Sequence, residues 1–140
     1  MNIRALLIMA FIWSGFLSVN SHSLEDNPKA IEGTWMITQA ELGGKNFAAL
    51  KGARLILQAG KYQFQNDQGE YKLLQIEKMT AIDIMGKQGP NEGKTYLAIY
   101  ELTENTLKIC YDLSGKERPN AFKTEAGTQQ FFVTYQRSSE

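Results

Sequence analysis

The sequence predicts an all-β chain closing into a small up-and-down antiparallel β-barrel of about eight strands, with one short helix in its first long loop. Three observations carry this. Short runs with period-two alternation recur from Thr34 to Gln136. Tight and long links between them mostly alternate. Gly33-Thr34-Trp35 opens the first run and Tyr135-Gln136-Arg137 ends the last, so a tryptophan and an arginine are available to plug one end of a closed sheet.

The chain starts with Arg4 ahead of an apolar stretch, Ala5 to Leu17, that contains Trp13 and is short for a membrane span. Small residues follow, in Val19-Asn20-Ser21 and Ser21-His22-Ser23. This is the layout of a secretory signal, with no cysteine nearby to carry a lipid. The expectation is a signal peptide over residues 1–23 and a single domain over 24–140, exported to the periplasm or beyond, with no membrane span in the mature form.

The strand runs read as Thr34–Glu41, Arg54–Gln58, Lys61–Gln65, Glu70–Ile76, Thr80–Met85, Thr95–Leu102, Leu107–Asp112 and Gln129–Gln136. Leu55 and Leu57 share a face, as do Tyr62 and Phe64, Ile82 and Ile84, and Leu107, Ile109 and Tyr111. In the last run Arg137 is in phase with Phe131, Val133 and Tyr135. The helix candidate is Phe47–Lys51, with Asn46 as its cap and Gly52 closing it. Ala59-Gly60, Glu77-Lys78-Met79 and Thr103-Glu104-Asn105 are tight links. Leu42–Ala53, Gly86–Lys94 and Leu113–Thr128 are long, and Asn66-Asp67-Gln68-Gly69 is intermediate. In an up-and-down sheet the long links share one end, so one end is stitched shut and the other is ringed by loops, where binding usually resides. Gly33, Trp35 and Arg137 then form the structural closure, with Arg137 across the indole.

Composition narrows the chemistry. Lys plus Arg and Asp plus Glu each number 15, interspersed, so no basic stripe tracks nucleic acid. Cys110 is the single cysteine and His22 the single histidine. A Ser-His-Asp or Cys-His apparatus is therefore not assembled, nor a His/Cys metal site. Gly93-Lys94-Thr95 resembles the end of a P-loop, but position 88 is Gln88 and a strand pattern follows, so it reads as a turn. Asp83, Glu92, Asp112 and Glu117 are the carboxylates available for acid–base work, and their spacing pairs none of them. The expectation is no enzyme, no cofactor and no metal.

Four blocks resemble an uncharacterised bacterial lipocalin-like domain family first described from planctomycetes: Ile31-Glu32-Gly33-Thr34-Trp35, Ala81-Ile82-Asp83-Ile84, Gly89 through Thr95, and Ile99 through Leu102 with Leu107 through Tyr111. Gly115-Lys116-Glu117-Arg118-Pro119 continues the resemblance. It implies a fold and no activity. The threonine-aspartate-tyrosine motif of the better-studied lipocalins is missing, so their transport roles do not follow.

The functional expectation is a non-catalytic binding protein holding a small hydrophobic or amphipathic molecule at the loop-ringed end. Ile37, Leu55, Tyr62, Ile84 and Tyr111 would line the lumen. Lys45, Phe47, Lys94, Arg118 and Phe122 would surround the mouth, with Lys94 and Arg118 meeting an anionic head group. Tyr62, Phe64, Tyr71, Tyr111, Phe131 and Tyr135 supply enough inward rings to favour a filled or shallow interior. The alternative is a solid barrel binding an envelope protein, as adaptor or inhibitor, through Leu113–Thr128.

Overall fold

The alternation read from the sequence becomes a closed antiparallel barrel in the computed structural model, which describes residues 27–139. The signal-like segment, with Trp13 and His22, lies outside the described residues. The strands are β1 (Gly33–Leu42), β2 (Lys45–Asn46), β3 (Arg54–Gln58), β4 (Lys61–Phe64), β5 (Asp67–Ile76), β6 (Met79–Gln88), β7 (Thr95–Thr103), β8 (Thr106–Asp112) and β9 (Gln130–Arg137). Each pairs with its neighbour in sequence, except that β2 is a two-residue arm folded back on the end of β1. β1 pairs with both β3 and β9, which closes the remaining eight strands into a barrel. Among the described residues no helix is long and apolar enough to cross a membrane.

β1 changes phase once. Its register against β9 skips from Ile37 to Gln39, leaving Thr38 as a bulge whose Oγ1 donates to the Thr134 carbonyl at 3.1 Å. The bulge returns Ala40 to the inner face beside Trp35 and Ile37, so a single long strand serves the barrel from end to end.

At the tight end, the β3–β4, β5–β6 and β7–β8 turns begin with Ala59, Glu77 and Glu104, all at positive φ. Left-handed residues give hairpins the twist their strands need. The segment before β1 then seals this end. Pro28–Ile31 is a 3-10 turn capped by Asn27, whose side chain accepts from the Lys29 N–H, and Ile31 at its end is buried. Trp35 is fully buried and its indole N–H donates to the Ile31 carbonyl at 2.9 Å.

Three sequence expectations are corrected here. The β4–β5 link is a two-residue turn, Gln65-Asn66, with Gln65 at φ 53°, so Asp67, Gln68 and Gly69 belong to β5 and not to a loop. Asn46 lies on β2 and caps no helix; the turn that follows is a 3-10 segment, Ala48–Leu50, with no side-chain cap. The long β8–β9 link starts and ends at the loop end but runs across the outer wall of the barrel instead of ringing the mouth. It covers the outward side chains Ala81, Ile99 and Cys110, all buried. Phe122 lies against Phe132 with ring centroids 5.9 Å apart, and the Cys110 thiol donates to the Lys123 carbonyl at 3.5 Å. The outer alternation of β6 to β8 is apolar for this reason: the sheet is covered on both faces.

Candidate functional site

At the open half of the barrel the inward side chains stop short of filling it. A cavity of about 230 Å³ remains, lined by Ile37, Leu55, Tyr62, Phe64, Asp67, Ile84, Asn91, Tyr96, Tyr111, Leu113, Phe131 and Tyr135. The five residues expected in the lumen, Ile37, Leu55, Tyr62, Ile84 and Tyr111, all stand on its wall. Period two is responsible: each occupies an inward position of a different strand, and closure turns those positions toward one volume. The rings expected to fill the interior do point inward, yet they leave this volume open.

Its polar wall is built by a turn folded down onto β5. Asp67, 6 % exposed, accepts at Oδ1 from the Asn91 backbone N–H (3.2 Å) and at Oδ2 from Asn91 Nδ2 (2.8 Å) and the Tyr62 hydroxyl (2.9 Å). Asn91 Oδ1 accepts in turn from the Tyr96 hydroxyl at 2.8 Å. Tyr62 can reach Asp67 because its cross-strand partner is Gly69, where a Cβ would sit 2.6 Å from the Tyr62 ring and 2.0 Å from the Met85 carbonyl oxygen. Burial and then the bond to Asp67 hold the Tyr62 phenol well above its ordinary range. Burial, with Asp67 nearby, also raises Tyr96.

The opposite wall is aromatic. Tyr111 stacks on Phe131 with centroids 5.8 Å apart, and the Tyr111 and Tyr135 hydroxyls share a hydrogen bond of 2.8 Å. Burial pushes both phenols upward. Phe47, partly exposed, meets Phe131 edge-on at 6.3 Å and so stands where the β1–β3 link reaches the mouth.

The cationic rim expected from the sequence is not assembled. Lys45 and Lys94 are exposed and line no part of the cavity. Arg118 is on the outer wall, where its guanidinium donates to Asp83 Oδ1 at 2.6 Å and to the Ala98 carbonyl at 2.8 Å. Phe122 is on the same outer face, against Phe132. Both belong to the β8–β9 link, residues 113–129, a strap over the buried outward side chains Ala81, Ile99 and Cys110. Among the described residues, Asp67 is the one charged residue on the cavity wall. Sequence reasoning missed it, together with Asn91, Tyr96 and Leu113. Its parity with Tyr71 and Leu73 was the available signal, hidden when the strand was started at Glu70.

Of the four carboxylates considered for acid–base work, Asp112 and Glu117 border one surface pocket on the β8–β9 link, and Asp83 and Glu92 line no part of it. Asp83 is engaged by Arg118. Asp112 accepts from the Ser114 hydroxyl and from the backbone N–H groups of Ser114, Lys116 and Glu117, tying down the start of the strap. Burial raises its pKa, but those bonds outweigh it and hold the carboxyl below its ordinary range. Glu92 and Glu117 are exposed. Among the described residues no group of three His, Cys, Asp or Glu side chains converges to hold a metal ion.

At the closed end the geometry is of another kind. Arg137 lies opposite Trp35 in the β1–β9 register, with Cζ 4.2 Å from the indole centroid. Its Nη1 donates to the Glu32 carbonyl (2.7 Å) and its Nη2 to the Ala30 carbonyl (2.9 Å). Gly33, at φ 140°, leaves the space the guanidinium occupies; a Cβ there would sit 2.8 Å from Nη1. These three residues hold the barrel shut and face no cavity.

Comparison with protein-family models, with curated proteins and with solved structures gave no match for this chain.

Proposed function

We propose that this is an exported, non-catalytic binding protein that holds one small, largely apolar molecule in the open half of its barrel. The observation that carries the reading is the cavity of about 230 Å³ walled by aliphatic and aromatic side chains with a few placed polar groups. It exceeds the ~150 Å³ dry cavity that accepts a benzene molecule. The export component rests on the signal-like pattern of residues 1–23.

The test is a titration with benzene or indole followed by amide and methyl chemical shifts. Saturable shifts centred on Ile84, Tyr111 and Leu113 are expected. They should disappear in Ile84→Trp, which fills the volume, while circular dichroism stays that of the parent. Unsaturable or scattered shifts in the parent would defeat the reading. The rival, docking of an envelope protein through Leu113–Thr128, has less support, because Arg118 and Phe122 of that segment are already engaged with the barrel.

A further inference from the structure

We infer that the molecule taken up in the lumen is a cation, a compact alkyl- or arylammonium, and not the anionic amphiphile that a lysine and arginine rim would select. The inference rests on the reading of the lumen as a binding site and names the ligand class. The first observation is the surroundings of Asp67. Its two oxygens meet the Asn91 backbone N–H, the Asn91 side-chain amide and the Tyr62 hydroxyl, and no cationic group is among these partners. All three donors are neutral. A carboxylate offers about four acceptor sites, so one remains on Oδ1, which takes only the Asn91 N–H. The fold thus gives this carboxyl neutral partners and no cation, and a cationic ligand beside it would complete an ion pair that the described wall does not supply.

The second observation is independent of it. Six of the twelve wall residues are aromatic rings, including Tyr96, Tyr111, Phe131 and Tyr135. Ring faces carry negative quadrupole potential, and a cage of them is the established way to hold a quaternary ammonium that cannot donate hydrogen bonds. A carboxylate and six rings thus border one volume, and any ring face turned to it adds potential of the carboxylate's sign. Among the described residues no lysine or arginine is on the wall to oppose it: Lys94 is exposed in its turn and Arg118 is bound to Asp83 outside the barrel. An anion entering here would meet a buried like charge and no donor cluster. The volume suits a trimethylammonium head with a short chain, or one ring with an aminoalkyl arm.

The experiment sets three near-isosteric probes against the purified chain by calorimetry and chemical-shift titration: choline, neutral 3,3-dimethylbutan-1-ol and anionic 3,3-dimethylbutanoate. Choline is expected to bind at least about tenfold tighter than the alcohol, and the carboxylate not at all. Asp67→Asn should erase the preference for choline over the alcohol, whatever the absolute affinity of either. The probe comparison needs no variant, so a misfolded Asp67→Asn does not rescue the idea. Equal affinity for choline and the alcohol, or tighter binding of the carboxylate, overturns the cationic assignment and leaves the lumen reading standing. Binding of benzene with none of the three does the same. Failure of all four probes removes both.

Discussion

The two ends of this barrel each bury part of a charged side chain, and they treat it in opposite ways. At the closed end the Arg137 guanidinium is consumed by the protein itself: two main-chain carbonyls, one indole face, and a glycine that vacates the space. At the open end Asp67 is held by three neutral donors and borders an empty volume. One charge is finished and the other is not. The difference teaches that burial alone does not separate a group finished by the fold from one left able to take a further partner. What separates them is whether the partners supplied by the fold complete the group's chemistry.

Substitutions can break or sharpen that contrast. The largest effect is expected from Trp35→Ala, which empties the fully packed end and should cost about 3–5 kcal/mol in urea unfolding. A loss under 1 kcal/mol would mean that the closed end is not the packed anchor described here. Alkali should come next and act on the other half. Tyr111 and Tyr135 have phenol pKa values raised by burial, so both stay protonated in the folded state when the unfolded chain has begun to ionise near pH 10. The unfolded state then binds fewer protons. Stability is flat below that pH and falls above it, by up to about 1.4 kcal/mol per pH unit for each phenol. Tyrosinate absorbance should lag and then rise with the loss of circular dichroism; smooth titration of the folded protein would contradict this.

Arg137→Lys keeps the charge and loses the fork, and should cost about 2 kcal/mol. In a double-mutant cycle with Trp35→Phe the two costs should fail to add, because the groups share one contact. Gly33→Ala should cost about 1–2 kcal/mol, through positive φ and the displaced guanidinium, with much of the loss gone in an Arg137→Ala background. The smallest change belongs to the open end. Leu113→Ala trims a half-buried wall residue beside an existing void and should cost less than about 1 kcal/mol, while enlarging the volume available to benzene. A larger cost there than at Gly33 would erase the distinction between the two ends.

Much of the architecture was legible in the chain. Period-two alternation from Leu55 to Tyr135 gave the strands and their inner faces, because in a closed sheet one parity has only one place to go. Link lengths gave the two ends, and the phase of Arg137 with Tyr135 placed it against Trp35. The five lumen residues followed from parity alone. Local order could not give the destination of a long link. Leu113–Thr128 has the composition of a surface loop, and whether it rings the mouth or crosses the wall depends on Ala81, Ile99 and Cys110, which stand on three separate strands. Only their assembly makes an apolar outer patch that a strap must cover, and that assembly carried Arg118 and Phe122 away from the mouth. The same holds for Asp67 and Asn91, 24 residues apart. Their hydrogen bond, and the lone carboxylate it places on an aromatic wall, is a long-range event that no local pattern encodes.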